Sequence, residues 1–258
     1  YHKCTNASFD GMVMPGITKE PRYAVQKSTA AALDFAAVMA QSARTFASFN
    51  KQLPGLSDSC MKAAKTAWDW AMKNPDLIYD QDKLNEKFLP KIVTGAYGDG
   101  RLNDEWLWAA AELFSTTSDE QFLKPLQELE KVAMVMPSWN DVGILAFYTL
   151  LNYKAEVPSS YKGKWEMMRN QILKMADGYT AYAKTSAFKM PMGQKETDFV
   201  WGSSSNAANQ GILLLFAHRL TGNKIYVEAA MANADYLLGR NATGYCFVTG
   251  FGSKSPMH

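Results

Sequence analysis

Thr29-Ala-Ala-Ala-Leu-Asp-Phe-Ala-Ala-Val-Met-Ala-Gln-Ser-Ala43 carries one charge, Asp34, among side chains that are small or apolar on nearly every face of a helix. A helix with no polar stripe has no solvent side and must be enclosed by other elements, so this segment is read as an inner helix. Leu53-Pro-Gly55 breaks the chain. The next segment puts Met61, Ala64, Trp68 and Ala71 on one stripe, with Lys62, Lys65, Asp69 and Lys73 off it, the pattern of an outer helix with one wet face.

The same cycle recurs downstream. Asn103 is placed to cap a helix through Trp106, Ala110, Leu113 and Phe114, and Ser118-Asp-Glu-Gln121 offers a second cap ahead of Phe122, Leu126 and Leu129. Asp141–Tyr153, uncharged after Asp141, is followed by a long segment from Lys162 to Lys184 in which Trp165, Met168, Ile172, Met175, Tyr179 and Tyr182 recur at helical spacing. Ser204–Arg219 turns at Leu220-Thr-Gly-Asn223 into Lys224–Leu238, which stops at Gly239. Four αα-hairpins, each pairing an enclosed helix with an amphipathic one, predict an all-α toroid with an inner ring and an outer sheath. A solenoid would show self-similarity at a period of roughly 34 to 47 residues, whereas these hairpins differ in length and share no consensus.

The bulk properties fit a folded domain. The 258 residues are 47% hydrophobic and 20% charged, enough to bury a large core, and the 27 basic and 25 acidic side chains are interspersed, leaving a net charge of +2. No basic stripe points to nucleic acid, which is excluded as a partner. The weakly charged stretches 29–43 and 203–218 fall short of the roughly 20 apolar residues of a membrane span, so no membrane partner is expected. No basic and then apolar leader opens the chain, whose first residues read as the middle of a domain. Cys4, Cys60 and Cys246 lack the spacing of a zinc site or a disulfide scaffold and are read as buried thiols. No calcium loop or His-x-x-x-His pattern occurs, so neither a metal nor another cofactor is expected. Asn6-Ala-Ser8 and Asn241-Ala-Thr243 match the glycosylation acceptor pattern, which arises often by chance.

Long connections gather on the helical scaffold at 79–102, 131–140, 188–203 and 240–258, and such loops are where function tends to sit. They carry Tyr, Trp, Asp and Asn with several glycines, a mix suited to polyhydroxylated ligands: rings stack on apolar sugar faces while amides and carboxylates meet hydroxyls. Trp201, in a polar loop without core periodicity, is read as a sugar platform, and Trp139 shares that setting. Tyr97 and Tyr245 flank glycines in loops and join them as candidates. Trp68, Trp70, Trp106, Trp108 and Trp165 sit at helical positions and are assigned to packing. Asp99, Asp104 and Glu105 form an acidic knot that could imitate an acid/base pair, although Asp104 and Glu105 at a helix N-terminus also suit the helix dipole. Asp198 either accepts a sugar hydroxyl or caps its loop.

Several blocks resemble glycoside hydrolase family 9. They are Phe9-Asp-Gly-Met-Val-Met-Pro15, Ser28-Thr-Ala-Ala-Ala-Leu-Asp-Phe-Ala-Ala-Val-Met-Ala-Gln41, Tyr97-Gly-Asp-Gly-Arg-Leu-Asn-Asp-Glu-Trp-Leu-Trp-Ala-Ala-Ala-Glu-Leu113, Trp201-Gly-Ser-Ser-Ser-Asn-Ala-Ala-Asn-Gln210 and Leu237-Leu-Gly-Arg-Asn241. Order and spacing agree from one end to the other, with bacterial members that carry an N-terminal immunoglobulin-like module as the nearest pattern. The resemblance implies an incomplete (α/α)6 barrel over 1–258, about four of six hairpins, with the N- and C-terminal parts of the domain outside it. It also implies inverting hydrolysis of β-1,4-glucosidic bonds in cellulose or a related β-glucan, in a secreted, periplasmic or cell-surface protein.

Family members take their base from an Asp-Ala-Gly-Asp-like motif and their acid from an Asn-Glu-Val-Ala-like motif. Neither occurs here, so no catalytic residue is assigned and this chain alone is expected to be inactive. Gly250-Phe-Gly-Ser-Lys254 leads toward a histidine cluster in the family. His258 is read as the neighbour of the substrate-contacting histidine, and it is kept among the substrate-binding candidates. The competing reading is a non-catalytic glucan-binding or structural domain that lacks the acid/base pair; a toroid enzyme acting on uronides or sugar epimers is a third. Inner helices at either end of a partial ring would expose apolar flanks, predicting self-association or helix exchange.

Overall fold

The computed structural model describes residues 1–9, 11, 13–14, 16–127, 134–152 and 158–256. They form two compact units, Tyr1–Val135 with Trp139–Tyr153, and Met136–Ser138 with Lys154–His258.

The first unit starts with a two-residue antiparallel ladder, β1 (Cys4–Thr5) on β2 (Tyr23–Ala24). Helix α1 (Thr29–Phe46) begins where Ser28 Oγ accepts the Ala31 N–H, and it buries Ala30, Leu33, Ala36, Ala37, Ala40 and Ala43. Its small side chains let α2 (Leu56–Lys73) and α4 (Asn103–Thr117) approach closely. Gly55, at φ +76°, opens α2, whose buried stripe is Cys60, Ala64, Trp68 and Ala71. Cys60 thus takes the place expected for Met61. Helix α1 is not enclosed on all sides: Phe35 and Val38 are nearly half exposed. The short α3 (Gln81–Asn85) is capped by Asp80.

The second expected hairpin loses its outer α-helix within the described residues. Ser118, at φ +57°, ends α4 by donating its N–H to Phe114 O, and Asp119, not Ser118, caps a 3-10 turn at Glu120–Leu123. Pro125 has no N–H for an α-helical bond, which explains why the pattern Phe122, Leu126 does not propagate as an α-helix. Phe122, Leu123 and Leu126 are nevertheless buried. Leu129 lies outside the described residues. Helix α5 (Gly143–Leu151) packs on α4.

Helices α1, α4 and α5 run in the same direction. Near their C-terminal ends, buried Glu112 of α4 accepts from Arg44 Nη2 of α1 at 2.7 Å, from Gln41 and Trp108 at 3.4 Å, and from Thr149 Oγ1 of α5. Near their N-terminal ends, Asp34 of α1 lies within electrostatic reach of Asp104 of α4, and Asp104 Oδ2 accepts the Val142 N–H ahead of α5. Between these ends Trp68 meets Trp106 and Phe122 edge-on, with ring centroids 5.1 and 5.4 Å apart.

The second unit holds α6 (Lys162–Thr185), α7 (Ser204–Thr221) and α8 (Ile225–Leu237). Gly222, at φ +74°, makes the α7–α8 turn. Buried Asn233 ties it together: Oδ1 accepts the Met192 N–H, and Nδ2 donates to Ala207 O and Gln210 Oε1. Ile212 and Leu215 of α7 are half exposed. Cys60 and Cys246 are buried as expected, whereas Cys4, on the β1 edge, is exposed. Asn241 is buried and its Nδ2 is engaged with Tyr236 O and Tyr245 O, so it is no glycosylation acceptor in this fold. Among the described residues no helix is long and apolar enough to cross a membrane.

Breaking a buried ion pair by removing one partner leaves an uncompensated charge, which costs about 3 to 5 kcal/mol. Arg44→Ala should therefore lower unfolding stability by about 3 kcal/mol in urea titrations, whereas Arg44→Met with Glu112→Leu should lose less than Arg44→Ala alone.

Candidate functional site

In the first unit the segment ahead of α4 brings Tyr97 against Trp139 edge-to-face, centroids 5.7 Å apart at 83°. Tyr97 adopts φ +54°, and its ring folds back over Gly95, where a Cβ would lie 2.8 Å from Tyr97 Cε2. A side chain at position 95 would push the Tyr97 ring from this place. Both rings face solvent, Tyr97 59% and Trp139 65% exposed, which suits a platform and not a core position.

Beside them lies a cluster of carboxyl groups larger than the expected knot. Asp99 Oδ1 accepts the Arg101 N–H at 2.8 Å, and its Oδ2 is buried with no hydrogen-bond partner. Burial, reinforced by Asp104 and Asp99, pushes Asp34 up to about 7. Glu105 is pushed up to about 9 by burial and by its hydrogen bond and charge contact with Asp104. Asp141 is also raised, by burial first and then by Asp104, against the opposing Gly143 N–H and the Arg101 guanidinium 3.7 Å away. The shift moves Glu105 toward its neutral form, which reduces the charge it can offer the helix dipole.

Glu105 and Asp104 are joined by that hydrogen bond. An inverting pair instead needs its two carboxyls about 6.5 to 9.5 Å apart, with room for water and the glycosidic oxygen. The knot is thus unsuited to be the acid/base couple, in keeping with the absence of both catalytic motifs. Among the described residues no group of three or more His, Cys, Asp or Glu side chains is arranged to hold a metal ion. The parts of Asp34 and Asp141 were not read from sequence, although a lone charge in an apolar helix was the available signal for Asp34.

In the second unit Trp201 precedes α7 at the positive-φ Gly202 and is 98% exposed. Packing cannot account for such a ring. Asp198 ends a 3-10 turn at Glu196–Asp198, and its Oδ2 accepts the Lys195 N–H at 3.1 Å, so capping the loop is one duty it has. Tyr245 is less open than expected, because Lys254 Nζ sits 4.3 Å from its ring centroid and donates to Thr243 O. His258 lies outside the described residues. The cavity of about 610 Å³ along α1 and α2, lined by Phe35, Ala63, Ala67 and Trp70, includes none of the candidates.

Each unit thus carries solvent-facing rings on loops ahead of helix N-termini, Tyr97 and Trp139 in the first and Trp201 in the second. The profile of glycosyl hydrolase family 9 matches residues 2–258, and the chain belongs to that family. It is 41% identical over 259 residues to the xyloglucan-specific endo-beta-1,4-glucanase BoGH9A of Bacteroides ovatus, covering 100% of this chain and 44% of that protein. Endoglucanase D of Acetivibrio thermocellus is 27% identical over 261 residues, 39% of its length.

Among solved structures, a family 9 protein of Bacteroides ovatus superposes with a TM-score of 0.94 at 41% identity, covering 100% of this chain and 47% of that one. A thermostable endoglucanase from Alicyclobacillus acidocaldarius gives 0.85 at 29%, covering 99% and 46%. The chain spans less than half the length of these relatives. Its fold class is the expected one: all-α, of (α/α)6 barrel type, incomplete in this chain.

Two outcomes follow. The folded state raises the pKa of Asp34 and Glu105, so their neutral forms contribute fully below the ordinary carboxylate pKa, near pH 4, and the contribution falls as pH rises through about 7 and about 9. The thermal midpoint should drop from pH 5 to pH 9, as the unfolding free energy falls by at most about 1.4 kcal/mol per pH unit per group, and Asp34→Asn with Glu105→Gln should flatten that slope. Separately, Trp201→Ala should weaken cello-oligosaccharide binding by about 1 to 3 kcal/mol in calorimetry, by analogy with base–aromatic stacking, without lowering the thermal midpoint.

Proposed function

We propose that this chain is part of the catalytic barrel of an inverting hydrolase of β-1,4-glucosidic bonds in cellulose or related β-glucans, and that it supplies substrate-gripping surface while the acid and base lie outside these 258 residues. The observation that carries this reading is 41% identity, along the whole chain, to an enzyme named as a xyloglucan-specific endo-β-1,4-glucanase. The exposed rings of Tyr97, Trp139 and Trp201 support it, since each offers an apolar face with no core to fill. Trp201 and the Tyr97–Trp139 pair are its main sugar contacts. Asp99, Asp198, Tyr245 and His258 are secondary contacts, with Tyr245 the weakest because Lys254 covers its ring. Polymers of this kind do not cross a cell membrane, which supports a secreted, periplasmic or cell-surface setting for an enzyme that acts on them. The apolar flanks Phe35 and Val38 on α1, and Ile212 and Leu215 on α7, are faces for further helices or for self-association.

The missing carboxylate motifs favour one competing reading, a glucan-binding domain with no turnover. Incubating the intact polypeptide with xyloglucan, mixed-linkage glucan and amorphous cellulose separates the two. Reducing ends released from at least one polymer, with the α-anomer appearing first by proton NMR, is the expected result. Binding without any release would replace the hydrolase reading with the binding one. The 258-residue chain alone should release none and should elute from gel filtration as an associated species.

A further inference from the structure

Phe199 stands two residues ahead of Trp201 and fills a seat that the rest of the second unit builds for it. The floor of that seat is Gly193, at φ +92°, where a Cβ would lie 2.7 Å from Phe199 Cζ and 3.1 Å from its Cε2. The ring thus rests where a side chain at position 193 would otherwise stand. This floor is held from two directions. The Tyr182 hydroxyl of α6 donates to the Gly193 carbonyl, and the N–H of neighbouring Met192 donates to buried Asn233 Oδ1 of α8 at 3.0 Å. The wall is Tyr236 of α8, whose ring centroid lies 6.5 Å from that of Phe199 on one side and 5.7 Å from that of Phe247 on the other. Tyr236 packs on the buried cluster of Met190, Met192, Ala207 and Ala232, so the wall belongs to the core of the unit.

Trp201 is almost wholly exposed, so packing does not set the direction of its ring. Its backbone does. The Ser203 N–H donates to Val200 O at 3.0 Å across a turn that contains Gly202 at φ +77°. Beyond that turn the chain is fixed by the start of α7, where the Ser205 N–H and hydroxyl both donate to Gly202 O, at 3.0 and 2.8 Å. Ahead of it, the Phe199 N–H donates to Glu196 O at 3.1 Å, and Asp198 O accepts from Asn206 Nδ2 at 3.4 Å. The Phe199 ring joins this leading stretch sideways to α8 and to position 193. A platform whose backbone is already placed loses less freedom when a sugar ring stacks on it, and the saving appears as affinity.

We propose that Phe199 is a positioning residue for Trp201: seated on Gly193 and Tyr236, it fixes the turn at residues 200–203 and so presents the Trp201 ring ready for a sugar face. The sugar rests on the function proposed above; the seating stands on the contacts alone. Phe199 is itself half exposed, so direct stacking on the same glucan chain is the rival role that the test has to separate.

Affinity for a thio-linked cellohexaose, which resists hydrolysis, is measured by calorimetry on the intact polypeptide, with the thermal midpoint recorded for every variant. Phe199→Ala should weaken binding by about 2- to 12-fold, the cost of ordering one side chain at the moment of binding. Phe199→Met, whose flexible side chain can refill the seat, should recover most of that affinity. Phe199→Ala combined with Trp201→Ala should bind within about twofold of Trp201→Ala alone, because a residue that acts through Trp201 then has nothing left to position. Additive losses in the double variant would overturn the proposal and make Phe199 a stacking surface in its own right. Amide hydrogen exchange over residues 198–204, measured without sugar, judges the seating by itself. Wild type should be protected there, and Phe199→Ala should lose that protection while keeping it along α7 and α8. An unprotected wild type, or protection unchanged in Phe199→Ala, would also overturn the proposal. Gly193→Ala, which pushes the ring from its seat without removing it, should lose affinity and protection as Phe199→Ala does, and it takes over should that variant not fold. If the exchange results hold but Trp201→Ala leaves the affinity unchanged, the glucan reading of Trp201 fails and the positioning of a sugar site with it, while the seat itself remains.

Discussion

The carboxylate of Glu112, fully buried toward the C-terminal end of α4, draws together Arg44 and Gln41 of α1, Trp108 of its own helix and Thr149 of α5. Removing a carboxylate from water costs several kcal/mol unless its lone pairs are met in good geometry. Sliding any of the three helices by one turn would strand the charge. Their common direction and register are therefore tied to this one group. The apolar contacts around it, mostly alanines on α1 and on α4, would tolerate several registers equally well. Fixing one end of three parallel helices also fixes the other, and that is where the site is built.

At that other end the same register brings Asp34, Asp104, Glu105 and Asp141 together, with the Arg101 guanidinium beside Asp141. A crowd of carboxyls in a poorly solvated place cannot all ionise. Burial and Asp104 push Glu105 toward its neutral form, while Asp104 accepts the Val142 amide and so anchors the entry to α5. Trp139 precedes that entry by three positions, and Tyr97 precedes α4 by six. The aromatic pair is thus held by backbone whose placement follows from helix register, with glycines 95 and 98 giving the clearance that Tyr97 and Tyr79 require.

Much of the helical plan could be read from periodicity, because burial imposes it directly. Segments 29–43, 162–184, 204–219 and 224–238 each became a helix within a few residues of the expected ends. The failure at 118–129 has a local cause, since Pro125 removes a donor where the apolar spacing alone suggested continuation. Of the site, Trp201 was readable because a large ring outside any apolar stripe has nowhere to be buried. The covering of Tyr245 by Lys254, and the capping bond of Asp198, involve partners brought close by loop conformation, for which spacing gives no sign. Asp34 and Asp141 lie 70 and 37 positions from Asp104, so their joint effect on protonation had no local signature.

By itself, then, the sequence determined the helix-forming segments, which of their faces are apolar, the family, and the absence of the two carboxylate motifs that hydrolysis would need. These are properties of residue type and spacing along the chain. Only the tertiary structure decided which carboxyls are pushed toward their neutral forms, which rings remain open to solvent, and that a histidine at the second position comes within hydrogen-bond reach of a carbonyl more than ninety residues away. Those depend on distances between groups far apart in the chain and on how much water is left between them, and neither exists until the helices have settled on Glu112.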